Sequence, residues 1–205
     1  SIGNYAFKSC TNLGMVSLNE KLQTIGSYAF SSTVLITITI PENVENIENY
    51  AFYCCEKLKT VNIPKSVTYL GKRAFHGCYS LKSVNLEARI TKIESGTFGS
   101  CVELENISVP DTVASIGSSA FIHSGLKNIE IPAAVNNIGT SAFRDCGSLK
   151  KIYFKGSAPP IASDAFEGVT ATAYYINDGT WTFDKLQNYG GNITWVACKD
   201  EDKLL

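Results

Sequence analysis

The chain has little excess charge, no long apolar run and no recognisable leader. Its 18 Lys and Arg residues against 19 Asp and Glu leave a net charge of −1, whereas nucleic-acid-binding domains usually carry a strongly basic patch. We therefore expect no nucleic-acid partner. No stretch of about 18 consecutive apolar residues occurs, so we expect no membrane insertion of this fragment. No secretory signal peptide opens the chain either.

Residues that usually perform catalysis are also scarce. The two histidines, His76 and His123, follow a recurring phenylalanine by one and by two residues, so they do not fall in one column. No Ser/His/Asp set, no pair of carboxylates at a usable spacing and no Gly-x-Gly-x-x-Gly phosphate loop is present. We expect no enzyme activity, no cofactor and no metal site.

What the chain does have is a repeat. The dipeptide Ala-Phe, replaced once by Thr-Phe, recurs every 22 or 23 residues. Such a period is typical of a solenoid, in which each turn buries its apolar face only against its neighbours. The recurring phenylalanines are Phe7, Phe30, Phe52, Phe75, Phe98, Phe121, Phe143 and Phe166.

Each repeat contains a short strand signal and a tight turn. Val61 and Ile63 lie two apart and so on one face of a strand, and Pro64 ends that strand because proline has no N–H to donate. Glycine recurs at 26, 71, 117 and 139, where we predict a turn with an unusual backbone angle. The Ala-Phe-x-x-Cys segment is too short for a stable helix and predicts a helical or 3₁₀ turn.

These recurring residues resemble the BspA-like leucine-rich repeat family, whose unit reads roughly Leu-x-x-Ile-x-Ile-Pro-x-x-Val-x-x-Ile-Gly-x-x-Ala-Phe-x-x-Cys. The resemblance covers residues 1 to about 168. It implies a right-handed leucine-rich repeat of α/β type, dominated by short parallel β-strands, with about eight turns. It also implies a bacterial cell-surface or secreted protein, here of a gut commensal. Because the chain begins inside a repeat, we expect further repeats upstream in the native protein.

The repeat stops after Phe166. Residues 169–205 are rich in tyrosine and tryptophan, and solenoids need a terminal cap to cover the last open face. We predict two domains, the repeats of residues 1–168 and a capping segment of residues 169–205. An aromatic subsite for a sugar or another ligand is the alternative interpretation of the same residues.

Five of the seven cysteines share one position of the repeat, three residues after the phenylalanine. Thr33 and Ser124 fill that position in two other repeats, which favours a small buried group that can hydrogen-bond to the backbone. Disulfides between neighbouring turns are the alternative, and no Cys-x-x-Cys pair indicates zinc. The five cysteines are Cys10, Cys55, Cys78, Cys101 and Cys146.

The strand residues that point away from the core predict a ligand-binding concave face. Short hydrogen-bonding residues form two columns and lysines a third, although Thr and Asn ladders also suit a merely solvated sheet. We expect a host or neighbouring-cell protein or glycoprotein as partner, in adhesion, or else a spacer role that presents other domains. The candidate residues are Thr39, Lys59, Thr60, Asn62, Lys82, Asn85, Asn106, Lys127, Asn128, Glu130, Lys151 and Tyr153.

A second candidate surface is an aromatic strip beside the Ala-Phe turns. Tyr5, Tyr28 and Tyr50 occupy the same position in three successive repeats, and Arg73 continues the column. Tyr and Arg are favoured in binding hot spots, so the strip is either a platform for a partner or ordinary packing at the edge of the turn.

Overall fold

The computed structural model describes residues 1–199 as a solenoid of short parallel strands. The prediction of a parallel-strand solenoid with about eight turns is confirmed. The strands are β1 Thr24–Ile25, β2 Thr37–Thr39, β3 Asn46–Ile47, β4 Thr60–Ile63, β5 Tyr69–Leu70, β6 Ser83–Leu86, β7 Lys92–Ile93, β8 Asn106–Ile107, β9 Ser115–Ile116, β10 Asn128–Ile131, β11 Lys151–Phe154, β12 Thr170–Ile176 and β13 Asn192–Cys198.

Strands from successive turns pair in parallel and build two faces of the solenoid. One face contains the sheets β2-β4-β6-β8 and β10-β11-β12-β13, and the other contains β1-β3-β5 and β7-β9. In each four-residue strand the second and fourth residues are buried, as Val61 and Ile63 are in β4. The alternation of apolar and polar residues in the sequence therefore decides which side chains enter the core.

The α/β part of the predicted fold class is minor. Residues 1–199 contain no α-helix and one 3₁₀ helix, Phe183–Lys185. The predicted helical turn at Ala-Phe is instead an irregular hydrogen-bonded turn. Ala29 N–H donates to Gly26 O (3.1 Å), but Phe30 N–H donates to Ala51 O of the next turn (2.8 Å). Because alternate N–H groups bond to the neighbouring turn, no helical run of hydrogen bonds can develop.

The phenylalanines form one continuous ladder through the core. Neighbouring rings stack nearly parallel, with centroids 5.1–5.8 Å apart. Every ring from Phe30 to Phe166 is fully buried, whereas Phe7 is only partly buried. Ile2, Val16 and Leu18 are also partly buried, so the first turn leaves an apolar surface with a groove of about 430 Å³.

The recurring glycines have a different role from the one predicted. Gly26, Gly71, Gly117 and Gly139 do not adopt positive φ angles. A Cβ on Gly71 would instead lie 2.5 Å from Asn49 N, and at the other three the nearest backbone atom of the preceding turn would be 2.7–2.8 Å away. These glycines are needed because two backbones approach each other closely there.

The cysteine column is largely buried, as predicted. The Cys55, Cys78, Cys101 and Cys146 thiols are buried and donate to the carbonyl oxygen of the phenylalanine one turn earlier, at 3.0–3.3 Å. Thr33 Oγ1 and Ser124 Oγ lie 3.3 Å and 3.2 Å from the next turn's Sγ. None of these four thiols is in a disulfide, and Cys10 departs from the prediction because the first turn leaves it exposed.

The parallel ladder of strands continues beyond Phe166, the last phenylalanine of the repeat. β12 and β13 have seven residues each and pair in register with β11 and with each other. Trp181 packs against Phe154, Tyr175 and Trp195, with ring centroids 4.8, 5.1 and 5.4 Å away, and its Nε1–H donates to Gly156 O (3.2 Å). The domain boundary at residue 168 stays a prediction, and residues 200–205 of the predicted cap lie outside the described residues.

Candidate functional site

The outward residues of β2, β4, β6, β8, β10 and β11 form one surface, called the candidate face below. Parallel pairing aligns Thr39, Asn62 and Asn85 in one column. Glu130 and Tyr153 are aligned in the same way on the next sheet. Thr60 and Asn106 belong to the second column, as do Asn128 and Lys151. Most of these side chains are exposed, and Glu130 and Tyr153 are half-buried.

Within the first column, amide groups hydrogen-bond to one another. Asn85 Nδ2 donates to Asn62 Oδ1 and to Glu87 Oε1, both at 2.7 Å. Glu87 stands where other repeats have proline. It was not among the predicted binding residues. These bonds hold the two amides in fixed orientations, so the face presents an ordered set of donors and acceptors.

The lysine column is aligned as predicted, but much of its charge is balanced. Lys82 N–H donates to Lys59 O (2.9 Å), which joins the two turns. Lys82 Nζ lies 3.5 Å from Glu103 and Lys127 Nζ 2.7 Å from Glu105. Because these pairs are exposed, each contributes little to stability, and their net effect is to reduce the positive potential of the column.

The strand ladder of the candidate face is interrupted between β8 and β10, which belong to different sheets. Lys127 N–H still donates to Glu105 O (2.9 Å) just before β10 begins. A groove of about 290 Å³ lies at this interruption. It is lined by Ser83, Val84, Asn106, Ile107, Ser108, Asn128, Ile129, Glu130 and Tyr153.

One aromatic ring, that of Tyr153, borders this groove. Tyr153 stacks on Tyr174, with centroids 5.2 Å apart and an interplanar angle of 15°. The Glu130 carboxylate forms an ion pair with Lys155. Sequence reasoning missed Tyr174 because it lies beyond the last Ala-Phe, where the repeat no longer assigns a register.

The predicted aromatic strip is also assembled. The Tyr28 ring stacks on those of Tyr5 and Tyr50 at 5.1 and 4.5 Å, and the Arg73 guanidinium lies 5.9 Å from the Tyr50 ring. All four residues have positive φ angles, so one repeated backbone conformation aligns them. Lys8 Nζ lies 5.2 Å from the Tyr5 and Tyr28 ring centroids, a cation–π contact that the sequence analysis missed.

The histidines do not come together. His76 stacks on Tyr53 at 5.6 Å, and burial lowers the pKa of its imidazole. His123 Nδ1 lies 3.7 Å from Asp145. Among residues 1–199, no group of three or more His, Cys, Asp or Glu side chains is placed to hold a metal ion. In the same range no helix is long and apolar enough to cross a bilayer.

Similar structures come from bacterial leucine-rich repeat proteins. One from Bacteroides ovatus ATCC 8483 is 30% identical, with a TM-score of 0.80, and the match covers 95% of this chain and 52% of that chain. The chain thus spans about half the length of that protein. A Treponema pallidum leucine-rich repeat protein is 27% identical, with a TM-score of 0.61 and coverage of 70% and 74%.

A third similar structure is a leucine rich cell surface protein from Faecalibacterium prausnitzii A2-165. It is 24% identical, with a TM-score of 0.53, and the match covers 76% of this chain and 59% of that one. No curated protein matches the chain. A family model described as a BspA type leucine rich repeat region matches in 6 copies, over residues 1–102 and 71–189. The chain therefore belongs to the BspA-type leucine-rich repeat family.

Proposed function

We propose that the chain is a non-enzymatic binding region of a bacterial cell-surface or secreted protein, and that its candidate face captures a protein or glycoprotein of a host or neighbouring cell. The observation that carries the proposal is the registered array of exposed amides and hydroxyls on β2, β4, β6 and β8. The similarity to a protein described as a cell surface protein supports an extracellular location.

The chemistry of the candidate face suits a polar partner. Each Asn can donate and accept, and each Thr or Ser hydroxyl can do the same. The two columns therefore offer hydrogen bonds along several turns, and a partner can satisfy them without burying a large apolar area. Electrostatic steering of a partner by the lysine column is weak, because Lys82 and Lys127 are paired with glutamates and exposed charges are screened by salt.

Replacement of two amides and two lysines on this face tests the proposal. The variant combines Asn62→Ala, Asn85→Ala, Lys82→Ala and Lys127→Ala and is applied to an array of host matrix proteins and glycoproteins. We expect capture by the wild-type chain, its loss in the variant and a nearly unchanged melting temperature, because all four side chains are exposed.

A matched control carries the same kinds of substitution away from the candidate face. Lys65→Ala, Lys72→Ala, Asn136→Ala and Asn137→Ala also remove two lysines and two amides from exposed positions. Capture by this control should equal that of the wild type. If the variant of the candidate face captures the same proteins as strongly as the wild type does, the proposed binding face is wrong.

The alternative is a structural spacer. The uninterrupted phenylalanine ladder from Phe7 to Phe166 favours it, because continuous core packing makes a stiff rod. Two observations together would favour the spacer over adhesion. The wild-type chain would capture nothing on the same array, and its gene would also encode another recognisable binding domain.

A further inference from the structure

The groove between β8 and β10 arises from a change in the length of the repeat. Phe121 and Leu126 are five residues apart, whereas Phe98 and Leu104 are six apart. β8 ends at Ile107, so Ser108 has no strand partner, and β10 begins a new sheet. Ser108 is also shorter than the residues that flank it in its column, Asn85 and Glu130. A shallow depression lies at this interruption of the ladder, and a second groove of about 450 Å³ lies over β2, β4 and β6 on the same face.

One wall of this groove is a tyrosine whose orientation is fixed. Tyr153 is half-buried and stacked on Tyr174, so the direction of its ring is set before any ligand arrives. The neighbouring Glu130 is held by Lys155, which neutralises its charge and leaves the carboxylate as a local acceptor. A rigid aromatic side chain can bind a ligand at low cost in conformational entropy.

The lining of the groove combines polar side chains with the edges of the inward residues Val84, Ile107 and Ile129. Asn106 and Asn128 offer amide donors and acceptors, and Ser108 offers a hydroxyl. The inward residues Ile107 and Ile129 are almost completely buried, so no apolar hole opens between the strands. An apolar peptide anchor therefore has no deep pocket here.

We infer that this groove is a saccharide subsite that binds a neutral pyranose ring. Such a ring has an apolar C–H face that packs on Tyr153 and an edge of hydroxyls that bond to Asn106, Ser108, Asn128 and Glu130. The volume of about 290 Å³ lies just below the range of roughly 300–1,000 Å³ for small-molecule sites, which suits a single sugar ring. The inference rests on the proposed function, since it assigns the glycan of a captured glycoprotein to one part of the candidate face.

The test measures binding of six methyl glycosides by saturation-transfer NMR and titration: glucose, galactose, mannose, fucose, N-acetylglucosamine and N-acetylgalactosamine. We expect at least one to bind the wild-type chain. Tyr153→Ala should weaken that binding about tenfold or more, whereas Tyr153→Phe, which keeps the ring, should stay within about threefold. Asn136→Ala, away from the candidate face, should bind as the wild type does.

A second variant, which blocks the groove, keeps the inference testable if Tyr153→Ala does not fold. Ser108→Phe fills the groove from an exposed position and leaves Tyr153 intact, so it should abolish sugar binding while the chain remains folded. The inference is overturned if none of the six glycosides binds the wild-type chain. It is also overturned if the folded Tyr153→Ala and Ser108→Phe variants bind as the wild type does.

The failure of this inference differs from the failure of the proposed function. If host glycoproteins are still captured after enzymatic removal of their glycans, and no glycoside binds, the saccharide subsite is wrong and the protein-binding face stands. If a glycoside binds in the Tyr153-dependent way but no protein or glycoprotein is captured, adhesion is wrong and the subsite stands.

Discussion

At the scale of single residues, the backbones of neighbouring turns approach each other closely at the recurring glycines. Gly71 lies so near the backbone of Glu48 and Asn49 that a Cβ would approach Asn49 N to 2.5 Å. Its φ angle is unremarkable, so glycine is required by proximity and not by backbone conformation. Positive φ angles occur instead at Tyr28, Tyr50 and Arg73, which carry side chains.

Gly71→Ala should therefore destabilise the chain. We expect a loss of about 1–3 kcal/mol, the usual effect of overpacking, because the clash is with backbone that cannot rotate away. Urea denaturation followed by circular dichroism measures the change. The control is Gly147→Ala, where a Cβ would meet nothing within 4 Å, and it should stay within about 0.5 kcal/mol of the wild type. Equal effects of the two substitutions would contradict the role of close approach.

Single residues also mark the limit of sequence-based prediction of the candidate site. Asn62, Asn85 and Tyr153 could be assigned to columns because the repeat supplies a register. Glu87 and Tyr174, which contact Asn85 and Tyr153, could not. Glu87 replaces a proline, and its bond to Asn85, two residues earlier in the same turn, depends on the orientation of both side chains. Tyr174 follows the last repeat, so its neighbour is known only after the turns have stacked.

At the scale of an element, the cysteine column behaves as one hydrogen-bonded ladder. Each buried thiol donates to a phenylalanine carbonyl of the preceding turn. Burial raises the pKa of Cys55 and Cys146 to about 11 and that of Cys101 to about 12, from an ordinary value of 9.0. These thiols keep their protons in the folded chain under conditions where an unfolded chain would lose them.

The stability of the chain should therefore fall as the pH rises above about 9. The stabilising contribution is fully present below the unfolded pKa, because both states are then protonated. It is lost between that value and about 11–12, where the unfolded chain releases protons that the folded chain retains. The urea midpoint, measured between pH 8 and pH 11, should decrease across this window.

A triple variant separates the thiols from other groups that titrate at high pH. Cys55→Ser, Cys101→Ser and Cys146→Ser place in each turn the residue that Ser124 already provides at this position. All other residues are the same in both proteins, so the urea midpoint of the variant should decrease less steeply with pH than that of the wild type. Parallel curves would show that the thiols do not contribute.

At the scale of the whole molecule, stability is expected to be the sum of contacts between neighbouring turns, because each turn packs only against the turns next to it. Phe98 stacks on Phe75 and Phe121, both at 5.8 Å, and is fully buried. Phe7 stacks only on Phe30 among the phenylalanines of residues 1–199 and is partly exposed. The position of a turn within the stack should thus decide how much its phenylalanine contributes.

Phe98→Ala should cost about 3–5 kcal/mol, the usual range for a buried phenylalanine. Phe7→Ala should cost clearly less, because the Phe7 ring is only partly buried and the end of the stack can open locally. Hydrogen exchange should show lost protection on both sides of Phe98 in the first variant and only in the first turns in the second. Equal losses of stability would contradict a one-dimensional stack.

The sequence by itself determined the approximate number of turns, one strand in each repeat, the recurring residues of the core and the alignment of the polar columns. It could do so because each of these depends on a local pattern repeated at a constant interval. Only the tertiary structure decided how the irregular positions meet. The close approach at Gly71, the interruption between β8 and β10 and the stack of Tyr153 on Tyr174 all arise between residues of different turns, where distance is set by packing and not by the spacing of residues along the chain.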